Sequence, residues 1–179
     1  MMTLQILAGL HVLFAGVFVG SNVFLDFLLT PRLDLIPPGQ AARLGEKLGV
    51  DFAILSWISL LGLPITGLLL LWRAGGIHRL VEPRFYLTGY GSALLTMMVI
   101  WLTLVITGVF LTFYLRPRVV VKLPYDVTRQ DVEGARAGAI KTVQWMRRLA
   151  RYNAIVSAIN IMIGGFLRYS GFLPYPALF

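Results

Sequence analysis

With 179 residues, of which 58% are hydrophobic and only 13% charged, and a mean hydropathy of +0.78, the chain lies far outside the make-up of a soluble globular domain and belongs in a lipid bilayer. Cysteine is absent, which excludes disulfides and thiolate metal ligands and leaves Met and His for any soft-metal chemistry. The net charge of +8 does not point to nucleic acid, because the basic residues concentrate in loops between apolar runs, where membrane topology accounts for them.

Runs free of Asp, Glu, Lys and Arg extend from Thr3 to Leu25, Phe52 to Trp72, Phe85 to Leu115 and Tyr152 to Leu167. A spanning helix needs about 20 apolar residues. Four transmembrane helices are therefore predicted, over residues 3–29, 50–72, 85–115 and 150–168, forming one all-α membrane domain arranged as a four-helix bundle. The last run is short, and Arg151 and Arg168 are placed to reach the two interfaces on their long stems. No Lys or Arg precedes the first run, which is also too long for the apolar core of a signal peptide, so it is expected to stay in the mature protein.

The first span carries His11, Asn22 and Asp26. At 100° per residue they fall at about 0°, 20° and 60°, on one stripe with Ala15. Gly9, Gly16 and Gly20 lie at about 140° to 180°, a smooth opposite surface for another helix. Pro31 is expected to stop this helix. "TPRLDLIPPGQ" then turns the chain and "QAARLGEKLG" leads helically into span two. Pro64 should kink span two, with Thr66 or Ser59 helping to satisfy the freed backbone. Gly75 reads as a glycine stop before a short connector, in which His78 sits solvated near Arg79 and Glu82. In span three, Thr88, Ser92, Thr96, Thr103 and Thr107 share one side and Tyr90, Met97 and Trp101 another. Pro117 is expected to stop that helix, "RPRVVVKLPYD" to turn the chain, and "DVEGARAGAIKTVQWMRRLA" to extend span four helically. The tail "GFLPYPALF" suits an interface or a partner subunit.

Two segment pairs indicate duplication. "VFLDFLLTPRL" (Val23 to Leu33) aligns with "VFLTFYLRPRV" (Val109 to Val119), and "EKLGVDFAILS" (Glu46 to Ser56) with "RRLARYNAIVS" (Arg147 to Ser157). Two hairpin repeats of parallel topology, related by an axis along the membrane normal, are the expectation. Of 16 Lys and Arg, twelve fall between spans one and two or three and four; only Arg73, Arg79, Arg84 and Arg168 lie on the other side. The positive-inside rule puts the twelve in the cytoplasm, where they can attract anionic headgroups, and both termini outside.

An ionisable side chain at membrane depth costs about 2.5 kcal/mol or more on insertion scales and is a functional hypothesis by default. Asp26 near the cytoplasmic interface pairs with Arg32 or Arg118, or handles protons or ions. Asn22 is an interhelical hydrogen bonder or a ligand. His11 either bonds a Ser or Thr of span three, ligates a metal or haem, or handles protons. Facing lipid would leave all three without partners, so they are expected to form an inward polar seam with Ser92, Thr96 and Thr103. No Gly-rich phosphate loop, metal-spaced His pair or catalytic triad is present, and no residue is singled out as catalytic.

"LHVLFAGVFVG", "FLLTPRL", "RLGEKLGVDFAILSWISLLGLPITGLLLL", a third span ending in "PRV", and "RRLARYNAIVSAINIMIGG" together resemble the copper-resistance protein D (CopD-like) superfamily of small bacterial membrane proteins. The likeness covers about residues 10–168. HemJ-type protoporphyrinogen oxidase, a more distant haem-binding relative, shares the histidine-bearing first helix. The resemblance implies a multi-pass protein of the bacterial cytoplasmic membrane engaged in copper handling or haem-linked oxidation. Family members often carry a His or Lys in the third span; here Met97 takes the repeat position equivalent to His11. His11 with Met97 or Met98 could ligate copper or haem b iron, since imidazole and thioether suit both; the alternative for either methionine is packing in the apolar helix. Three readings stand: a CopD-like metal handler, a haem-dependent oxidoreductase, and a non-catalytic subunit docking a larger complex or a second copy of itself.

Overall fold

The computed structural model is all-helical, with no strand among the described residues. It describes residues 2–33, 35, 37–119 and 129–169; the proline-broken tail and most of "RPRVVVKLPYD" lie outside them. In chain order come α1 (Met2–Val23), a π turn (Phe24–Leu29), α2 (Thr30–Leu33), α3 (Pro38–Arg73), 3₁₀ turns at Ile77–Val81 and Pro83–Leu87, α4 (Gly89–Val109), a second π turn (Phe110–Leu115), α5 (Arg116–Val119) and α6 (Arg129–Tyr169). Four stretches are long and apolar enough to cross a membrane: Thr3–Arg32, Lys47–Arg73, Gly89–Arg118 and Ile140–Leu167. The expected helical lead-ins to spans two and four are present, continuous with α3 and α6.

The prolines do not stop the helices where expected. Helix continues through Pro31 and Pro117 into α2 and α5, because the turn before each proline widens to π. The Thr30 amide bonds back to the Leu25 carbonyl, and the Arg116 amide to that of Leu111. A proline ring clashes with the carbonyl four residues back in an α-helix, and the wider turn relieves that clash. Thr30 Oγ1 adds a second donor to Leu25, at 2.7 Å.

Pro64 lies inside α3 and deprives the carbonyl of Leu60 of its helical donor. The replacement comes from another helix: Trp101 Nε1 of α4 donates to Leu60 O at 2.9 Å. Thr66 instead donates to the carbonyls of Gly62 and Leu63 in its own helix.

Gly75, at φ +71°, ends α3 as expected. The Gly76 amide returns to Leu71 O and the Gly75 amide to Trp72 O, the pair of bonds that closes a helix through a left-handed residue. The charge-free run begins at Phe85, but α4 begins only at Gly89, where Thr88 caps it by accepting from the Gly91 amide at 3.0 Å. Gly91 is required there, since a Cβ would run into the carbonyl of Phe85.

α1 packs along α3 and against α6, while α4 packs on α6 and more lightly on α3; α1 and α4 are not principal partners. A shared apolar cluster of Phe18, Leu60 and Leu104 joins α1, α3 and α4, with Trp57, Trp101 and Val156 around it. Close approach of α1 to α3 uses glycines of α3: Phe14 lies over Gly62, and His11 over Gly67. Gly9, Gly16 and Gly20 of α1 have no neighbouring group within 4 Å of where a Cβ would stand. Among the described residues, six buried polar ones (Ser21, Asp26, Ser59, Thr66, Asn153, Ser157) stand beside seven buried apolar ones, whereas Val12, Phe113 and Phe166 point outward. Lipid removes the drive to hide apolar side chains, and polar groups go inside to find partners.

Candidate functional site

His11 is half-buried between α1 and α3, with Nδ1 2.8 Å from Thr66 Oγ1. The single hydroxyl hydrogen of Thr66 is committed to its own helix, with Gly62 O at 2.7 Å. Thr66 Oγ1 must then accept, which puts the imidazole proton on Nδ1 and leaves the Nε2 lone pair unprotonated. The expected partner helix for His11 was span three; the structure supplies span two.

The hydroxyls of span three are engaged elsewhere. Ser92 and Thr96 are exposed and donate to Gly89 O and Ser92 O of their own helix. Thr103 donates to Ile100 O and accepts from Tyr152 at 3.3 Å. Thr107 reaches Asn153 Oδ1 of α6 at 2.7 Å. A small hydroxyl in a helix can always bond a carbonyl three or four residues back, so a row of them does not oblige a neighbouring helix to pair with it.

Asn22 is half-buried and donates to Phe18 O at 2.7 Å, a bond within its own helix. Asp26 sits inside the first π turn and is buried. Its Oδ2 is 3.2 Å from Nε of Arg151 on α6. Neither expected partner takes that role: Arg32 Nη1 donates to Leu28 O, and Arg118 lies 3.4 Å from the centre of the Tyr114 ring.

Met97 rests against α6, its Cε 3.2 Å from where a Cβ of Gly164 would be, and Met98 is exposed. From Asp26 to His11 along α1 is about 22 Å, and from Arg151 to Gly164 along α6 about 20 Å, at about 1.5 Å per residue. With Asp26 and Arg151 level, His11 and Met97 lie within about one helical turn of the same depth, on helices that are not principal partners. His78 is exposed in the connector.

A polar stripe on α6 went unread in the sequence. Asn153 and Ser157 are buried, and Asn160 carries a buried Oδ1 with no hydrogen-bond partner. Their spacing of four and three residues, on one helical face, was the available signal. Among the described residues no three His, Cys, Asp or Glu side chains cluster as a metal cage. No protein-family model, curated protein or solved structure matches the chain.

Proposed function

We propose that the chain is a four-helix bundle of the bacterial cytoplasmic membrane, built from two parallel hairpin repeats with both termini outside, that handles a soft metal in the manner of the CopD-like superfamily. The observation that carries this reading is the presentation of His11. Ligating histidines are held by a hydrogen bond from the other ring nitrogen, and Thr66 holds Nδ1 at 2.8 Å, so Nε2 is the free donor. Met97, at nearly the same depth, is the second donor, and Cu(I) accepts this imidazole and thioether pair. Support for the duplication comes from the two π turns, Phe24–Leu29 and Phe110–Leu115, which fall on aligned residues of the two repeats.

A haem-binding oxidoreductase is the second reading. It is favoured by the placement of His11 and Met97 on helices that do not pack closely together, since a haem held between them would need that room and its iron suits imidazole and thioether ligands. His11 and Met97 would hold the group, which would supply one-electron chemistry, and Thr66 behind His11 would tune its potential.

The test is an absorption spectrum and metal analysis of the purified protein, loaded separately with Cu(I) and with haem, alongside His11→Ala and Met97→Leu. Stoichiometric copper lost in both variants supports metal handling. A Soret band whose position moves in both supports the haem reading. A wild-type protein that takes up neither group overturns both and leaves a non-catalytic subunit.

A further inference from the structure

Asp26 engages Arg151 in an unusual division of exposure. The carboxylate side chain is 2% exposed and the arginine side chain 64%. Contact is through Nε alone, so the buried acid grips the guanidinium by its inner nitrogen while the rest of the side chain stands largely open. Arginine carries five donors in a planar fork that matches a phosphate in two-pronged fashion. Losing one of them to Asp26 orients the fork without blocking it.

The surroundings place this open edge near the headgroup layer. Trp145 and Tyr114, exposed at 49% and 48%, are the amphipathic aromatics that settle at membrane interfaces. Arg148 lies 5.8 Å from the Trp145 ring and Arg118 stacks on Tyr114, so each of these aromatics carries a cation. Arg147 stands one turn before Arg151, on the same face of α6.

We infer that Arg151, held by Asp26 at the π turn, forms with Arg147 a binding site for the phosphodiester headgroup of an anionic lipid. Asp26 is the positioning residue: it fixes the direction of the fork on the phosphodiester, while the other basic residues of this side of the chain favour a lipid of net negative charge over a zwitterionic one that carries the same phosphodiester. The site is independent of any metal or haem chemistry at His11.

The full chain, purified in neutral detergent, is titrated with phosphatidylglycerol, phosphatidylcholine or inorganic phosphate while the thermal midpoint and the native mass spectrum are followed. Phosphatidylglycerol should raise the midpoint and stay bound, and phosphatidylcholine should do neither. Arg151→Lys keeps a cation for Asp26 but loses the fork, so its unliganded midpoint should stay near wild type while phosphatidylglycerol binds about tenfold more weakly. Asp26→Asn should weaken phosphatidylglycerol as well, by releasing the arginine. Undiminished phosphatidylglycerol affinity in Arg151→Lys, or an equal response to phosphatidylcholine, overturns the site. An equal response to inorganic phosphate overturns the lipid assignment in favour of a soluble anion. A destabilised Asp26→Asn that binds phosphatidylglycerol in full overturns the positioning role.

Discussion

The two π turns share a backbone and differ in what they hold. Both precede a Pro-Arg pair, both cover six residues, and both return the amide after the turn to a carbonyl five residues back. Position 26 of the first is aspartate, and its aligned residue in the second is Thr112, which accepts from Trp57 Nε1 at 3.2 Å. The first turn is tied to α6 by an ion pair and the second to α3 by a neutral hydrogen bond. Geometry therefore follows the proline and the apolar residues common to both segments, whereas the acid belongs to one half only. A wide turn does not need an acid, so Asp26 answers to something other than the backbone.

Removing the cation should have the largest effect. Arg151→Ala leaves a buried carboxylate without its partner, and about 2 to 3 kcal/mol of stability should be lost, below the usual cost of breaking a buried pair because the arginine is largely exposed. Thermal or SDS-driven unfolding in micelles reads this, and a loss below about 0.5 kcal/mol would show that solvent already screens Asp26. Next comes the attempt to make the halves alike. Thr112→Asp puts an acid on the second turn where the described hydrogen-bond partner is the neutral Trp57 indole, and should cost about 2 kcal/mol; a neutral outcome would mean that a cation of this rim reaches the second turn as easily as the first. Thr112→Val, which removes only the bond from Trp57, should cost about 0.5 kcal/mol, the usual worth of one interhelical bond in a membrane protein. A loss as large as that of Arg151→Ala would erase the contrast between the halves.

What could be read in advance was whatever depends on one segment alone. The four spans, the helical lead-ins to α3 and α6, and the stop at Gly75 are local consequences of apolar length and of a single left-handed residue. The single stripe of His11, Asn22 and Asp26 assumed α-helical spacing throughout, whereas Asp26 stands in a π turn and meets α6 while His11 meets α3. Partners were harder. Hydroxyls of span three looked like the complement of that stripe, yet Ser92 and Thr96 bond their own carbonyls while Thr103 and Thr107 meet α6, and Thr66 of span two takes His11. Arg151 was read as an interface anchor and is also the counter-ion of Asp26. Each of these depends on which helices sit side by side, a property of the assembled molecule that no single span encodes. The π turns were hidden for another reason: a proline near the end of a span signals a break, and nothing in composition distinguishes a stopped helix from a widened one.

The bond from Trp101 to Leu60 has a mechanical consequence. A proline in mid-helix ordinarily acts as a free hinge, because the carbonyl it orphans has nothing to hold it. In α3 that loose end is fastened to α4 at 2.9 Å, so the hinge has a strut. Bending α3 at Pro64 must drag the indole or break its bond, and any sliding of α4 must act on α3 at its weakest point. Two helices that otherwise touch only lightly thus move as a linked pair about Leu60, and the half of α3 that carries Thr66, and with it the grip on His11, swings on that pivot.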